Sequence, residues 1–231
     1  MQVPEDDRAV RVERTVSANG FTPLGWFHVS DGDDVPNVAP GLPARTVMLV
    51  GNAGPAMWQR FSADRDPAKD TLDAWSRDVL CALAADIGAC ALFPFDKPPL
   101  PFQRWATRAG TVHTSPLGMS IHAEYGLWHA YRAAFAFAEE IPFAPASGIA
   151  SPCDACEDKP CLTTCPVGAF SGASYDVPAC AGHISLPQGA DCIDLGCRAR
   201  RACPVGRGYV YTPAQARFHM TAFLRARSEA G

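Results

Sequence analysis

The sequence predicts an α+β protein, in which a mixed N-terminal domain over residues 1–150 precedes a small cysteine-rich module. Before residue 150, apolar segments with helical spacing alternate with short β-branched runs. After it, cysteine dominates: eight of the ten cysteines fall between Cys153 and Cys203. We expect the module to occupy residues 151–210 and a C-terminal helix to follow over residues 211–231.

The helices and strands of the first 150 residues follow from spacing and stop signals. The clearest helix is predicted from Asp70 to Ile87, because apolar residues recur with helical period between an N-cap at Asp70 and Gly88. Asn19-Gly20 predicts the end of a helix that begins at Val10. Further predicted elements are an extended segment over 21–29, buried strands over 46–50 and 89–95, a short helix over 102–108 and a segment of undecided type over 119–137.

The cysteines form two runs with a single cysteine between them. They read Cys153-x2-Cys156-x4-Cys161-x3-Cys165-Pro166, then Cys180, then Cys192-x4-Cys197-x5-Cys203-Pro204. An iron–sulfur cubane takes four thiolates, so eight cysteines suit two such clusters. The sequence therefore predicts a ferredoxin-like module with two [4Fe-4S] clusters, and all eight cysteines as metal ligands.

The two Cys-Pro cysteines suggest how these ligands divide. In two-cluster ferredoxins the cysteine before proline ligates the cluster of the other run. We therefore expect Cys203 to join Cys153, Cys156 and Cys161. Cys165 would then join the remaining three, which are Cys180, Cys192 and Cys197. The spacers here are longer than in the bacterial ferredoxin pattern, so the loops between the ligands must follow a different path.

Zinc and disulfides are the competing interpretations of the cysteines. Structural zinc sites are usually built from paired short knuckles, and this chain has one C-x2-C. Disulfides require an oxidising compartment, whereas residues 1–10 carry three acidic residues and no apolar stretch typical of a signal peptide. We expect a cytoplasmic protein without a membrane span. Cys81 and Cys90 lie apart from the runs, and core packing is predicted for both.

Charge and histidine patterns exclude several function classes. A formal net charge of −4 gives no reason to expect nucleic acid as a partner. The six histidines show neither i, i+4 pairing nor a metalloprotease motif, so structural roles are expected for them. Arginines cluster around the last cysteines and on the final segment. They are interpreted either as a solvated face that balances cluster charge or as a docking patch for an acidic electron donor or an RNA backbone.

Three stretches resemble the epoxyqueuosine reductase family and its cobalamin-binding relatives, the reductive dehalogenases and the CblC-like cobalamin-processing proteins. The first is the order of the cysteines. The second is Ile121-His122-Ala123-Glu124-Tyr125-Gly126-Leu127-Trp128, which is similar to the family's I-H-P-E-Y-G-S-W. The third is Phe95-Asp96-Lys97-Pro98-Pro99-Leu100, which is similar to V-D-x-A-P-L.

The resemblance implies a cobalamin-type N-terminal domain that receives electrons from two adjacent cubanes. It also implies that Asp96 is the catalytic proton donor; the alternative is that Asp96 caps a turn. Thr111–Leu117 departs from the family's G-W-x-G-K stretch. Only 28 residues follow Cys203, so we expect the tRNA-handling helical repeats to be missing and tRNA not to be a partner.

Three functions remain open from the sequence. The first is an oxidoreductase whose clusters feed a corrinoid or a similar cofactor, with a ferredoxin- or flavodoxin-type protein as electron donor. The second is a ferredoxin-like electron carrier without bound cobalamin. The third is a non-catalytic binding protein that its clusters only brace. Neither the substrate nor the oligomeric state follows from the sequence.

Overall fold

A computed structural model describes residues 7–66, 71–146, 148–171 and 174–228. The chain divides into two compact units. The first comprises the described parts of Met1–Thr111 and His129–Ile149, and the second those of Val112–Trp128 and Ala150–Gly231. Residues 112–128 thus group with the cysteine segment, and the division of the chain into functional domains stays a prediction.

The first unit is built on an antiparallel sheet with strand order β1-β2-β6-β3. The strands are β1 (Thr22–His28), β2 (Thr46–Ala53), β3 (Cys90–Leu92) and β6 (His129–Phe137). Residues 47–50 of β2 are fully buried, as the apolar run predicted. In β6, residues 133–137 are also fully buried. These two paired strands are therefore the centre of the first core.

Helices α1 (Arg8–Ala18), α2 (Ala56–Asp64), α3 (Leu72–Asp86) and α4 (Phe102–Ala109) complete the first unit. The predicted stop after α1 is confirmed, since Asn19 is the C-cap and Gly20 adopts φ +81°. Helix α3 is confirmed with Thr71 as N-cap, its hydroxyl accepting from the Ala74 N–H. Asp70, the expected cap, lies outside the described residues. Helix α2 was not predicted.

Two predictions for the first unit need correction. Strand β3 has three residues instead of the seven over 89–95, because the chain turns at Phe93, whose carbonyl accepts from the Asp96 N–H at 3.1 Å. Core packing is wrong for Cys81, which is exposed, while Cys90 is half-buried. Helix α3 directs Leu80 and Leu83 into the core, so Cys81 falls on its outer side.

The second unit combines a short hairpin with the cysteine segment. The hairpin pairs β4 (Val112–Thr114) with β5 (Ser120–His122). The undecided segment over 119–137 is thus strand, turn and strand, and only its second strand joins the main sheet. The helices of the unit are α5 (Pro160–Thr163), α6 (Val177–Ile184), α7 (Ala190–Leu195), α8 (Arg198–Arg201) and α9 (Pro213–Ser228), with short 3₁₀ turns at Pro187–Gly189 and Arg207–Tyr209.

The fold class is therefore mixed helix and antiparallel sheet, as the sequence predicted. Helix α9 confirms the C-terminal helix. The ferredoxin-like character of the cysteine segment stays a prediction. Within the described residues, none of the helices has the length and apolar character needed to cross a bilayer.

Gly51 offers a test of the paired central strands. A Cβ at this position would lie 2.0 Å from the Ala130 carbonyl oxygen of the neighbouring strand. Since backbone must shift to make room, we expect Gly51→Ala to cost about 1–3 kcal/mol and to lower the melting temperature by about 2–12 °C. Thermal unfolding followed by circular dichroism measures this. Gly208→Ala is the control, because nothing lies within 4 Å of its added Cβ; equal melting temperatures for both variants would contradict the packing.

Candidate functional site

Four cysteines of the second unit surround a small cavity of about 20 Å³, which we call the first cavity. They are Cys153, Cys156, Cys161 and Cys203. The rest of its wall is largely proline and aliphatic: Pro116, Ile121, Pro152, Lys159, Pro160, Pro204 and Val205.

The other four cysteines line a larger, second cavity of about 240 Å³. They are Cys165, Cys180, Cys192 and Cys197. Apolar and aromatic side chains complete much of its wall, among them Leu117, Met119, Phe170, Tyr175, Ile184 and Phe223. The structure thus brings together the same two sets of four that the sequence grouped. Their role as metal ligands stays a prediction.

Each cysteine run ends with a short helix followed by a Cys-Pro pair, and the cysteine of that pair lines the cavity of the other run. Helix α5 is followed by Cys165-Pro166, and helix α8 by Cys203-Pro204. Proline cannot supply a backbone donor, so neither short helix can continue past its Cys-Pro pair. The two helices contact each other. As a result, the last cysteine of each run faces the cavity of the other run.

Burial dominates the electrostatics of the thiols. It raises the pKa of Cys153, Cys161, Cys180 and Cys197 above the ordinary thiol value. Neighbouring cysteines act in the same direction: Cys203 on Cys153 and Cys161, and Cys165 on Cys180. Thiols with raised pKa are protonated at neutral pH, so metal binding to these groups would release protons.

Several donors point at sulfur atoms of the second cavity. The Ala169 N–H donates to Cys165 Sγ at 3.3 Å. The backbone N–H groups of Ala199 and Arg200 oppose the burial that raises the pKa of Cys197, and the Tyr175 hydroxyl opposes it at Cys180. Sequence reasoning missed Tyr175, because an isolated tyrosine outside a motif carries no signal.

The turn after β5 contacts the segment that follows Cys203. His122 Nδ1 accepts from the N–H groups of Glu124 (3.1 Å) and Tyr125 (3.3 Å), and its ring stacks on Tyr125 at 4.4 Å. Tyr209 donates a hydrogen bond to Glu124, which raises the pKa of Tyr209 to about 12. The stretch that resembles I-H-P-E-Y-G-S-W therefore forms a turn. His122 has a structural role in that turn, because its ring accepts two backbone hydrogen bonds and stacks on Tyr125.

Arg200 contacts the last two residues of the same stretch, Leu127 and Trp128. Its guanidinium lies 4.3 Å from the Trp128 ring centroid and 4.5 Å from that of Tyr211. It also donates two hydrogen bonds, at 2.9 and 2.6 Å, to the Leu127 carbonyl oxygen. This cation–π and hydrogen-bonded contact attaches residues 127–128 to helix α8.

Most of the clustered arginines have partners inside the unit. Arg198 and Arg201 both pair with Asp191, and Arg217 pairs with Asp194 at 2.8 Å. The charges of these arginines are thus balanced by nearby carboxylates, and a solvated face that balances cluster charge stays a prediction. A docking patch for an acidic donor or RNA stays a prediction.

Asp96 lies in the first unit in a fully engaged position. One carboxylate oxygen accepts from Arg77 at 2.5 Å and the other from the Phe93 N–H at 2.9 Å. Arg77 in turn lies over the rings of Phe93 and Phe95. These contacts match the turn-capping alternative, and the catalytic role of Asp96 stays a prediction.

Comparison with known proteins supplies structural neighbours only. No protein-family model matches the chain. No curated protein matches it either. An epoxyqueuosine reductase from Streptococcus thermophilus superposes with TM-score 0.51 and 16% identity, over 88% of this chain and 67% of that one. The C. elegans B12-trafficking protein CblC superposes with TM-score 0.50 and 14% identity, over 94% and 96%.

The resemblance is one of fold. The families recognised in the sequence are thus the ones whose structures this chain is distantly similar to. At these identities the likeness does not extend to activity.

His122 predicts a pH dependence of stability. Burial lowers its pKa below the ordinary 6.5, and Glu124 opposes this only in part. Because the folded-state pKa is depressed, the stabilisation is complete above pH 6.5 and is lost as the pH falls through the folded-state pKa. We expect the melting temperature of the wild type, relative to His122→Gln, to decrease between pH 8 and pH 5.5. A difference that is constant over this range would contradict the assignment.

A substitution at Gly206 tests whether the wall of the first cavity depends on the close contact with the turn after β5. A Cβ here would lie 2.3 Å from the Tyr125 carbonyl oxygen, and Gly126 meets Val205 equally closely. We expect Gly206→Ala to displace the wall at Val205 and to lower the iron bound per chain after anaerobic reconstitution. Gly118→Ala is the matched control, because Gly118 has a similar φ of +72° but open space around it. Equal iron content in both variants would contradict this dependence.

Proposed function

We propose that this chain binds two [4Fe-4S] clusters, one in each group of four cysteines, and works in electron transfer. The observation that carries the proposal is the sorting of eight cysteines into two sets of four, each around its own cavity. The cysteine segment would then be a ferredoxin-like module that supplies one-electron chemistry.

The donor set suits iron–sulfur clusters better than zinc. Zinc ligands converge on a single ion, with Zn–S distances of about 2.3 Å. Across the described residues, no three His, Cys, Asp or Glu side chains are grouped closely enough for a single metal ion. Thiols spread around a cavity instead suit a polynuclear group, which four thiolates surround.

We propose further that the electrons serve a reductase reaction on a corrinoid or a similar cofactor in the first unit. The similarity to CblC, described as a B12-trafficking protein, and to epoxyqueuosine reductase supports this role. The described residues of the first unit do not single out a corrinoid site, so no residue is assigned to it. Asp96 would be the proton donor, although its contacts with Arg77 and Phe93 support a structural role more strongly.

The electron donor is proposed to be a ferredoxin- or flavodoxin-type protein, in the cytoplasm, where thiols stay reduced. We do not propose tRNA as a partner. The second candidate function is that of a ferredoxin-like carrier without cobalamin. The engaged state of Asp96 favours it, since a carrier needs no proton donor.

Anaerobic purification followed by metal analysis tests the cluster proposal. We expect about eight irons and eight sulfides per chain, with the visible spectrum of cubanes. Zinc without iron would overturn the proposal. Cys192→Ala should lose about half of the iron, whereas Cys81→Ala, at an exposed cysteine outside both groups, should lose none.

Addition of hydroxocobalamin to the iron-loaded protein distinguishes the two functions. A shift of the corrinoid spectrum on binding would support the reductase. An unchanged corrinoid spectrum with reversible cluster reduction would support the carrier.

A further inference from the structure

The second cavity is the larger of the two and has exposed apolar side chains in its wall. Its volume is about 240 Å³, against about 20 Å³ for the first, although four cysteines surround each. Met119, Val167 and Tyr175 lie in its wall and are 36%, 39% and 38% exposed. We call these three residues the mouth of the second cavity. Among the described residues, none of the large apolar side chains that are this exposed lines the first cavity.

Arginine side chains lie next to the mouth. Arg198 is in the wall of the second cavity, and 48% of its side chain is exposed. Phe223 of α9 is also in the wall, and the guanidinium of Arg227 lies 5.7 Å from the centre of its ring. Arg227 follows Phe223 by four residues, so the two side chains share one side of the helix. The edge of the second cavity therefore carries positive charge.

The nearby carboxylates cancel only part of this charge. Asp191 pairs with both Arg198 and Arg201, so it balances one of the two. Over residues 190–228, seven arginines stand against two aspartates. The loop between the cysteines of the first cavity has the opposite sign, since residues 154–159 include three acidic side chains and one lysine, all of them exposed. The chain segments around the two groups of cysteines thus differ in charge.

We infer that the mouth of the second cavity is the docking surface for an acidic one-electron donor protein, whose electrons enter through the cluster of that cavity. Protein interfaces combine an apolar centre with a polar rim. A positive rim attracts an acidic partner and raises the rate of association. In the transfer step the reduced donor loses one electron and the oxidised cluster gains it, so no bond forms or breaks. The inference rests on the proposed binding of two clusters.

An acidic protein fits this surface better than an RNA backbone does. Affinity for nucleic acid comes mainly from contacts between basic side chains and phosphates. Here Asp191 and Asp194 lie among the arginines and would repel phosphates. Met119 and Val167 offer a phosphate neither charge nor a hydrogen bond, whereas a protein partner can bury them at the centre of an interface.

The first test measures how fast a reduced [2Fe-2S] ferredoxin of net negative charge reduces the iron-loaded protein. Stopped-flow absorbance gives the second-order rate constant. Val167→Asp adds a negative charge to the mouth and should lower this constant about tenfold at low ionic strength. Val210→Asp is the matched control, because Val210 is also 39% exposed but lies in neither cavity wall. Its rate constant should stay close to that of the wild type.

The second test reverses charge on α9. Arg225→Glu combined with Arg227→Glu changes two exposed arginines. It should slow the reaction at about 10 mM salt, where the Debye length is about 30 Å, and approach the wild-type rate at about 1 M, where it is about 3 Å. Arg14→Glu combined with Arg45→Glu makes the same change in net charge at two exposed arginines of the first unit. This control should slow the reaction less.

The outcomes separate the inference from the function on which it rests. Clearly fewer than about eight irons per wild-type chain would overturn the proposed function. About eight irons with a rate that is independent of salt, or equal rates for Val167→Asp and Val210→Asp, would overturn the docking surface alone. Saturable binding of an RNA hairpin, lost in the α9 double variant, without any binding of the ferredoxin would also overturn it.

Two further measurements keep the test decisive. If the ferredoxin binds without reducing the clusters, its dissociation constant from calorimetry replaces the rate constant, and the same order of variants is expected. If Val167→Asp loads less iron than the wild type, the comparison of the two arginine double variants decides, because their side chains lie outside both cavity walls.

Discussion

Each cysteine run contributes its last cysteine to the cavity of the other run, and the second unit depends on this constraint. Cys165 leaves helix α5 towards the second cavity, and Cys203 leaves helix α8 towards the first. Neither group of four is complete until both runs are folded. The contact between the two short helices and the proline after each exchanged cysteine therefore determine both cavities at once. Helices of four residues cannot persist alone, so this geometry must come from tertiary packing.

Residues 112–128 owe their place in this unit to a few close contacts. Gly126 and Gly206 adopt positive φ and bring two backbones together, an approach that no other residue type permits. Arg200 adds a charged, stacked contact at the end of the stretch. Leu117 and Ile121 pack with Cys161 and Cys203 in one apolar cluster. The hairpin is thus part of the walls around the cysteines, and its glycines matter for shape.

Much of this could be predicted from sequence, because the signals were local. Helix α3 and strand β2 follow from apolar spacing, and the grouping of cysteines follows from their order and the two Cys-Pro pairs. The exposed position of Cys81 was missed because its apolar sequence neighbours, such as Leu80 and Leu83, lie on a different side of helix α3. The partners of Asp96 and Cys180 were missed for another reason. Arg77 and Tyr175 reach them through the folded chain, and neither belongs to a motif.

The path of the chain has a consequence for how such proteins can change in evolution. The hairpin that completes the cavity walls is encoded before β6, a central strand of the other unit. A gene segment that begins at residue 150 would carry all eight cysteines without Leu117, Met119 or Ile121. Recombination that moved only the cysteine segment to another protein would therefore leave part of the cavity walls behind. The hairpin and the cysteine segment must be inherited together with strand β6, which lies between them in the sequence.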